Sequence, residues 1–195
     1  MGFLETIKDE PQKDNSLFVE KYRPSKLEDY LGNEHLKETI SNFIENGEIP
    51  HLLLYGNPGV GKTSLAKLLV SSLDCDSLMI NASDENGIDV IRNRIKGFVS
   101  TIGFRNIKII ILDESDFLTI QSQSVLRNLM ETFSKHSRFI LTCNYLERIS
   151  EAIRSRCQEF EITPPHKNDV KKHIVKILIK EHIKYNIEDV SPYID

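Results

Sequence analysis

One short stretch of the sequence has the composition of a phosphate-binding loop. Residues 56–63 read GNPGVGKT and match the pattern G-x-x-x-x-G-K-[ST]. In such a loop the glycines let backbone N–H groups turn towards phosphate oxygens, and the helix that follows adds its partial positive charge. Lys62 is predicted to reach the β- and γ-phosphates of a nucleotide, and Thr63 to offer its hydroxyl to Mg²⁺. The residues predicted to bind the nucleotide here are Asn57, Pro58, Gly59, Val60, Gly61, Lys62, Thr63 and Ser64.

Two adjacent acids follow the most apolar segment of the chain. Residues 108–114 read KIIILDE, so Asp113 and Glu114 stand where a buried strand ends. Beside a phosphate loop, Asp113 is predicted to bind Mg²⁺ and Glu114 to polarise the attacking water. Alone, the pair would equally fit helix-capping acids after a core strand. A glutamate directly after the magnesium aspartate favours ATP hydrolysis over a GTP switch or a kinase.

Two further polar residues stand at positions where they could reach the same site. Asn144 follows the apolar residues LTC, and its amide could hold the attacking water or the γ-phosphate. The ordinary interpretation of this asparagine is that it begins a turn. Arg156, in Ser155-Arg156-Cys157, would by itself be a cation that stabilises the end of a short helix.

The elements that position these residues alternate in type. Strand-length apolar runs occupy residues 51–55, 78–81, 108–114, 138–144 and 158–162. Segments of helical period separate them, and Asn33 is the predicted cap of one more helix before the first strand. This alternation predicts an α/β fold with a five-stranded parallel sheet flanked by helices.

The two ends of the chain differ from this central region. Residues 1–16 are polar and acidic, which predicts a flexible tail before a nucleotide-binding domain at 17–163. Pro164-Pro165 then interrupts the chain, and Asn168 is the predicted cap of a helix that continues through Leu178. Residues 164–195 are therefore expected to begin a second, smaller helical unit, which the family resemblance given below identifies as the beginning of a helical lid.

Composition limits the classes of function. The 195 residues are 39% hydrophobic and 28% charged, as in a globular protein, and no apolar run approaches the length of a membrane span. The three cysteines lie far apart, which argues against a disulfide framework or a zinc module and favours a reducing intracellular compartment. A net charge of −4 means that any contact with nucleic acid must come from a local basic face.

One segment offers such a basic face. Arg92 and Lys96 are four residues apart on a predicted helix and so lie on one side of it. Arg94 and Arg105 are weaker candidates for DNA contact. A solvated basic face is the simpler interpretation, and the absence of interleaved aromatic residues argues against base recognition.

Taken together, these motifs are similar to those of one branch of a known family. The segments that carry the resemblance are VEKYRPSKLEDYLGNE (19–34), GNPGVGKT (56–63), INASDENGIDVIRNRIK (80–96), ILDESD (111–116), QSVLRNLME (123–131) and SRCQEFEITPP (155–165). They resemble the clamp-loader branch of the AAA+ ATPases, above all the replication factor C small subunits and their phage counterparts. The resemblance covers nearly the whole chain after residue 16.

The resemblance implies further roles for individual residues. It places Asn144 at the family's first sensor and Arg156 at an arginine finger that acts in the ATP site of a neighbouring subunit. It places Asn81 where a polar residue restrains the catalytic glutamate until DNA is bound. The helix with Arg92 and Lys96 would line a spiral around duplex DNA. An adenine pocket would include Val19, Glu20, Lys21, Tyr22, Arg23 and Leu31.

The resemblance also implies a function, with ATP and Mg²⁺ as cofactors. Such a subunit assembles with other clamp-loader subunits, opens a sliding clamp and places it on primer–template DNA without sequence preference. The sequence departs from the family pattern at two positions. Ser115 stands in the acidic segment ILDESD where a smaller residue such as alanine is frequent, and Asn128 follows Arg127 where the family has a second arginine. The family's lid continues beyond the position of Asp195. Another AAA+ DNA motor, of the branch-migration type, and a non-catalytic nucleotide-binding subunit remain as alternatives.

Overall fold

The computed structural model describes residues 17–103, 105 and 107–186, with the backbone alone at Val19 and Glu20. The predicted tail at 1–16 and the end of the predicted lid therefore lie outside the described residues. The strands are β1 (Leu52–Tyr55), β2 (Cys75–Asn81), β3 (Ile107–Asp113), β4 (Ser137–Cys143) and β5 (Gln158–Glu161). The α-helices are α1 (Phe18–Lys21), α2 (Glu34–Asn46), α3 (Lys62–Ser72), α4 (Ile88–Ser100), α5 (Ile120–Thr132), α6 (Glu151–Arg154) and α7 (Lys167–Lys180). Short 3₁₀ helices occupy Leu27–Asp29, Ser115–Phe117 and Leu146–Arg148.

The five strands form one parallel sheet in the order β2-β3-β4-β1-β5. The prediction of a five-stranded parallel α/β fold is thus confirmed. Strands β3, β4 and β1 are neighbours in the sheet although they are far apart in sequence. Because all strands run in the same direction, the loops that follow these three strands meet at one edge, which is where open α/β sheets bind ligands.

Alternate residues of the central strands pack against different helices, so the sheet is buried on both faces. On β3, Ile110 and Leu112 lie in a cluster with apolar residues of α4 and α5. Ile109 and Ile111 face the opposite cluster, which includes apolar residues of α2 and α3. A strand covered on both faces is apolar at every position, which explains the continuous run that the sequence shows here.

The caps of two helices differ from the predictions. Asn33 does precede α2, but its side chain is hydrogen-bonded to Thr163 instead of capping the helix, and Thr163 Oγ1 donates to Asn33 Oδ1 at 2.9 Å. The cap of α7 is His166, whose Nδ1 accepts from the backbone N–H of Asn168. Asn168 lies within the first helical turn because α7 begins one residue earlier. None of the helices in the described ranges is long and apolar enough to cross a bilayer.

A buried lysine fixes the end of α4 to the start of β3. Lys108 donates from Nζ to the carbonyl oxygen of Phe98 at 2.6 Å and to Oγ1 of Thr101 at 2.9 Å. Both acceptors stand at the carboxyl end of α4, where a cation also compensates the helix dipole. This contact explains how a charged residue is accommodated within an apolar strand.

His51 directly precedes β1, at the amino ends of the parallel strands, and is held in its neutral form. Its Nδ1 accepts a hydrogen bond from the backbone N–H of Phe139 at 3.1 Å, and the two rings meet edge to face. Burial, assisted by the charge of Arg138, lowers the pKa of His51 from 6.5 to about 4. Protonation at Nδ1 would also remove the acceptor that the Phe139 N–H requires.

Acid is therefore expected to destabilise the fold through His51. Between pH 6.5 and about 4 the unfolded chain binds more protons at this residue than the folded chain does. The contribution of His51 to the free energy of unfolding is complete above pH 6.5 and falls as the pH falls towards about 4. We expect a loss of roughly 1–2 kcal/mol, less than the full shift would give because solvent screens the half-buried ring.

Urea unfolding of the unsubstituted chain and of His51→Gln across this pH range measures the effect. The glutamine amide can accept the same hydrogen bond but cannot be protonated, so the dependence of stability on pH should be shallower in the variant. If the free energy of unfolding depended on pH equally in both proteins, His51 would not be the cause of the destabilisation by acid.

Candidate active site

The loops after β1, β3 and β4 enclose a cavity of about 290 Å³. Its walls include the residues to which the sequence analysis gave roles in phosphate binding, metal binding or hydrolysis, namely Lys62, Thr63, Asp113, Glu114 and Asn144. The rest of the cavity is lined by four other residues predicted to bind the nucleotide, Pro58, Gly59, Gly61 and Ser64, and by two that were not predicted, Thr142 and Cys143. The structure thus brings together predicted residues that are distant in sequence, such as Lys62 and Asn144, which are 82 positions apart.

Two glycines of the phosphate loop are required by the backbone. Gly56 has a φ of +149°, and a Cβ there would lie 2.3 Å from the carbonyl oxygen of Ile162. Gly61 has a φ of +95°, and a Cβ there would lie 3.2 Å from the Tyr30 ring. Tyr30 is buried, which raises its pKa to about 12. Its ring packs against the loop at Gly61, and the sequence around Tyr30 did not indicate this role.

Lys62 is the first residue of α3, and its ammonium group is already hydrogen-bonded. Nζ donates to the carbonyl oxygens of Gly56 at 2.9 Å and Asn57 at 2.8 Å, and to Oδ1 of Asn144 at 2.8 Å. Only 8% of the residue is exposed, and this burial lowers the pKa of the ammonium while nearby acids such as Asp113 oppose the shift. The predicted Lys62 and Asn144 are thus in direct contact.

Asp113 accepts hydrogen bonds from two threonine hydroxyls. Thr63, in the first turn of α3, donates to Asp113 Oδ1 at 2.8 Å. Thr142, on β4, donates to the same oxygen at 2.5 Å. The two residues predicted to bind Mg²⁺, Thr63 and Asp113, are therefore adjacent, and the third residue was missed by the sequence analysis.

Glu114 lines the same cavity in an uncommon backbone conformation. Its φ of +55° and ψ of +43° lie in the left-handed region, which costs a non-glycine residue about 1–2 kcal/mol. Its backbone N–H donates to Oγ1 of Thr142 at 3.1 Å. Strained backbone of this kind is concentrated at functional sites, where the surrounding structure maintains it.

The donors around the cavity fit a nucleotide phosphate with Mg²⁺. The loop supplies backbone N–H groups at the start of α3, and Lys62 supplies a cation, as phosphate oxygens require. The hydroxyl of Thr63 and the carboxylate of Asp113 are hard oxygen ligands 2.8 Å apart. Mg²⁺ is typically bound by one or two such protein oxygens together with substrate phosphates and water.

The predicted adenine-pocket residues lie apart from this cavity. Lys21 Nζ is 2.8 Å from Glu181, at the end of α7, and the Tyr22 hydroxyl donates to the same carboxylate. These hydrogen bonds, that of Lys21 first, lower the pKa of Glu181. Arg23 is exposed, and Leu31 lines a separate groove beside α7. The side chains of Val19 and Glu20 are outside the described part of the structure.

Arg156 and Asn81 make local contacts. Arg156 donates to the carbonyl oxygen of Ala152 at 2.6 Å and is paired with Glu131 on α5, and it is not among the residues that line the cavity of its own chain. Asn81 is the register partner of Asp113, but its Oδ1 accepts from the hydroxyl of Ser83 at 2.9 Å. The roles of Arg156 and Asn81 that the resemblance implied stay predictions.

The four basic residues predicted to contact DNA separate into two pairs. Arg92 and Lys96 are exposed and line one groove between α4 and α5, together with Val125, Asn128, Leu129, Thr132 and Phe133. Arg94 is paired with Glu85, and Arg105 with Asp74. The structure thus gathers Arg92 and Lys96 on one surface, where Arg92 also lies 3.7 Å from Asp89 of the preceding turn, and it places Arg94 and Arg105 beside acids outside α4.

The curated relatives of this chain include replication factor C subunits of archaea and of a eukaryote. A replication factor C small subunit of Methanoregula boonei is 42% identical over 185 residues, which cover 91% of this chain and 56% of that protein. The corresponding protein of Archaeoglobus fulgidus is 45% identical over 175 residues, 86% of this chain and 55% of its own length. Replication factor C subunit 3 of Saccharomyces cerevisiae is 38% identical and covers 93% of the chain. The chain spans about half the length of these relatives.

Solved structures and a family model agree on the fold. The RuvB Holliday junction branch migration motor of Thermotoga maritima superposes with a TM-score of 0.72 at 20% identity, over 85% of this chain and 57% of that one. The family model for ATPases associated with various cellular activities matches residues 52–165, which include the phosphate loop, both acids and Asn144. The chain therefore belongs to the AAA family of ATPases.

Proposed function

We propose that this chain is the ATP-binding and ATP-hydrolysing part of a subunit of a sliding-clamp loader. The observation that carries the proposal is the gathering of Lys62, Asp113, Glu114 and Asn144 around one cavity at the carboxyl edge of the sheet. The similarity to replication factor C subunits supports the clamp-loader assignment. Residues 17–163 would be the nucleotide-binding domain and residues 164–195 the beginning of a helical lid.

Each residue around the cavity would have a separate role in ATP hydrolysis. The loop and Lys62 would bind the phosphates and offset their charge. Glu114 would accept a proton from the attacking water, and Asn144 would orient that water or the γ-phosphate. Mg²⁺, bound through Thr63 and Asp113, would neutralise charge that develops on the phosphate oxygens.

Completion of the site would require a neighbouring subunit. The side chain of Arg156 is 35% exposed, and Arg156 does not line the cavity of its own chain. An arginine supplied from an adjacent subunit stabilises charge on the transferred phosphoryl group. Binding of ATP by several subunits would then order a spiral able to open a clamp, and hydrolysis would release the clamp around DNA.

Arg92 and Lys96 would contact the DNA backbone inside this spiral. Their groove carries two exposed cations and an amide, Asn128, at the position where the family has a second arginine. Such contacts with phosphates give affinity without sequence preference. Asn128 removes one cation from this surface, so the two remaining ones carry a larger share of the electrostatic attraction.

The test of the proposal is ATP hydrolysis by the assembly isolated from its native source. A clamp loader is expected to form a multi-subunit complex whose hydrolysis increases when primer–template DNA and a ring-shaped clamp are both present. Sustained unwinding of DNA without a clamp would favour a branch-migration motor instead. Nucleotide binding without hydrolysis in the complete complex would favour a non-catalytic subunit.

Substitution of the basic groove tests the DNA contacts separately. Arg92→Ala combined with Lys96→Ala should weaken binding to all DNA sequences alike and reduce the slope of log K against log salt by about 2, since two phosphate contacts are lost. Arg94→Ala is the matched control, because Arg94 is on the same helix but does not line the groove and is paired with Glu85. Equal losses in the control and the double variant would show that helix charge, and not this groove, determines DNA affinity.

A further inference from the structure

Thr142 occupies a position between the two acids of the site. It lies on β4, next to β3 in the sheet, and only 1% of it is exposed. Its hydroxyl donates to Asp113 Oδ1 at 2.5 Å and accepts from the backbone N–H of Glu114 at 3.1 Å. One hydroxyl has a single proton to donate and lone pairs to accept, so the two bonds are compatible.

These bonds extend the contact between β3 and β4 beyond their paired residues. The last register pair of the two strands is Leu112 with Leu141. Past that pair the chain of β3 turns away, and Glu114 adopts its left-handed conformation. The Glu114 N–H donates to a side-chain oxygen, that of Thr142, instead of to a backbone carbonyl of β4. The Thr142 hydroxyl therefore continues the hydrogen bonding between the two strands past their last register pair.

Asp113 receives a second hydroxyl, that of Thr63, from a different part of the fold. Thr63 and Thr142 both donate to Oδ1, whereas Oδ2 receives neither of them. Thr63 belongs to the phosphate-binding helix and is itself a predicted ligand of Mg²⁺. Both are β-branched threonines, but Thr142 is only 1% exposed in the middle of the sheet, where packing leaves its χ1 little freedom, whereas Thr63 is partly exposed on a helix. Thr142 is therefore the more rigid of the two donors.

We infer that Thr142 is a positioning residue for both acids. Its hydroxyl fixes which oxygen of Asp113 is turned towards the phosphate loop, and it maintains the backbone conformation that directs the carboxylate of Glu114 into the cavity. This inference rests on the proposed ATPase function for its effect on turnover, but its geometric part does not depend on that function.

Amide hydrogen exchange at Glu114 tests the geometric part directly. Thr142→Val removes the hydroxyl and keeps the shape of the side chain, so the Glu114 amide should exchange at least about 10-fold faster. Thr142→Ser keeps the hydroxyl and should retain the protection. Unchanged protection in Thr142→Val would overturn the inference, whatever the protein hydrolyses.

Hydrolysis by the assembled complex tests the effect on chemistry. Thr142→Val is expected to lower kcat about 10- to 100-fold, as loss of a supporting hydrogen bond at a metal site typically does, while the Kd for ATP measured without Mg²⁺ changes less than about 3-fold. Thr142→Ser should recover most of kcat. A merely structural role would change Tm without this separation between kcat and Kd.

The matched control is Thr119→Val. The hydroxyl of Thr119 caps α5 and accepts from the backbone N–H of Ser122 at 3.1 Å, outside the cavity. This variant should lower Tm with kcat unchanged. If the unsubstituted complex hydrolyses no ATP, the proposed function fails, and the exchange of the Glu114 amide still decides the inference about Thr142. If the complex is active and Thr142→Val has normal kcat, the inference is wrong and the proposed function stands.

Discussion

Glu114→Gln is expected to slow ATP hydrolysis by the assembled complex at least about 100-fold, while ATP still binds. The amide is almost the same size as the carboxylate but cannot accept a proton from water. Lys62 and the loop, which bind the phosphates in the proposal, are unchanged. The measurement pairs steady-state phosphate release with the Kd for ATP.

Glu147→Gln supplies the control for Glu114. It makes the same chemical change on an exposed residue of a 3₁₀ helix outside the cavity. This variant should hydrolyse ATP at the unsubstituted rate. Normal turnover in Glu114→Gln would remove Glu114 as the base, and loss of ATP binding would indicate that it has a structural role instead.

Arg156→Ala is expected to reduce hydrolysis at a neighbouring subunit's site by about 1,000-fold, because a guanidinium that stabilises the transferred phosphoryl group is lost. Mixing experiments can establish which subunit is affected. In a complex that contains several copies of the chain, copies with Arg156→Ala are combined with copies with Glu114→Gln. Each variant alone should be inactive, but a site with an intact Glu114 next to an intact Arg156 should recover activity in the mixture.

The outcome of mixing separates action between subunits from action within one. If Arg156 served its own cavity, each copy in the mixture would carry one defect and activity would stay low. Arg154→Ala is the control for charge, since Arg154 is the last residue of α6, two positions before Arg156, and is bonded to Glu159 on β5. It should leave the mixture experiment and the basal rate unchanged.

The sequence predicted the sheet well because burial on both faces leaves a direct pattern. Ile109 to Leu112 are apolar at every position since alternate residues face different helical layers. The glycine loop and the acids after β3 were equally visible, because each requires particular residue types at fixed positions. Their meeting at one cavity followed from the parallel direction of the strands.

Contacts between distant residues left no such pattern. Thr142 has the β-branched side chain that any strand favours, so the sequence did not distinguish its hydroxyl from a packing residue. Tyr30 supports Gly61 from a segment that is 31 positions earlier, without a local motif. Similarly, the pairing of Arg94 with Glu85 and of Arg105 with Asp74 depends on where loops approach each other.

The hydrogen bonds of Lys62 affect which molecules can compete for the loop. Its ammonium has three donors, and the structure directs all of them to uncharged oxygens, those of Gly56, Asn57 and Asn144. A ligand must replace at least one of these contacts, so its affinity reflects a difference between two sets of hydrogen bonds. Anionic oxygens form stronger hydrogen bonds with an ammonium than neutral ones do. We therefore expect the loop to bind ligands with anionic oxygens in preference to nucleosides and other uncharged compounds, which have no such oxygen to offer to Lys62.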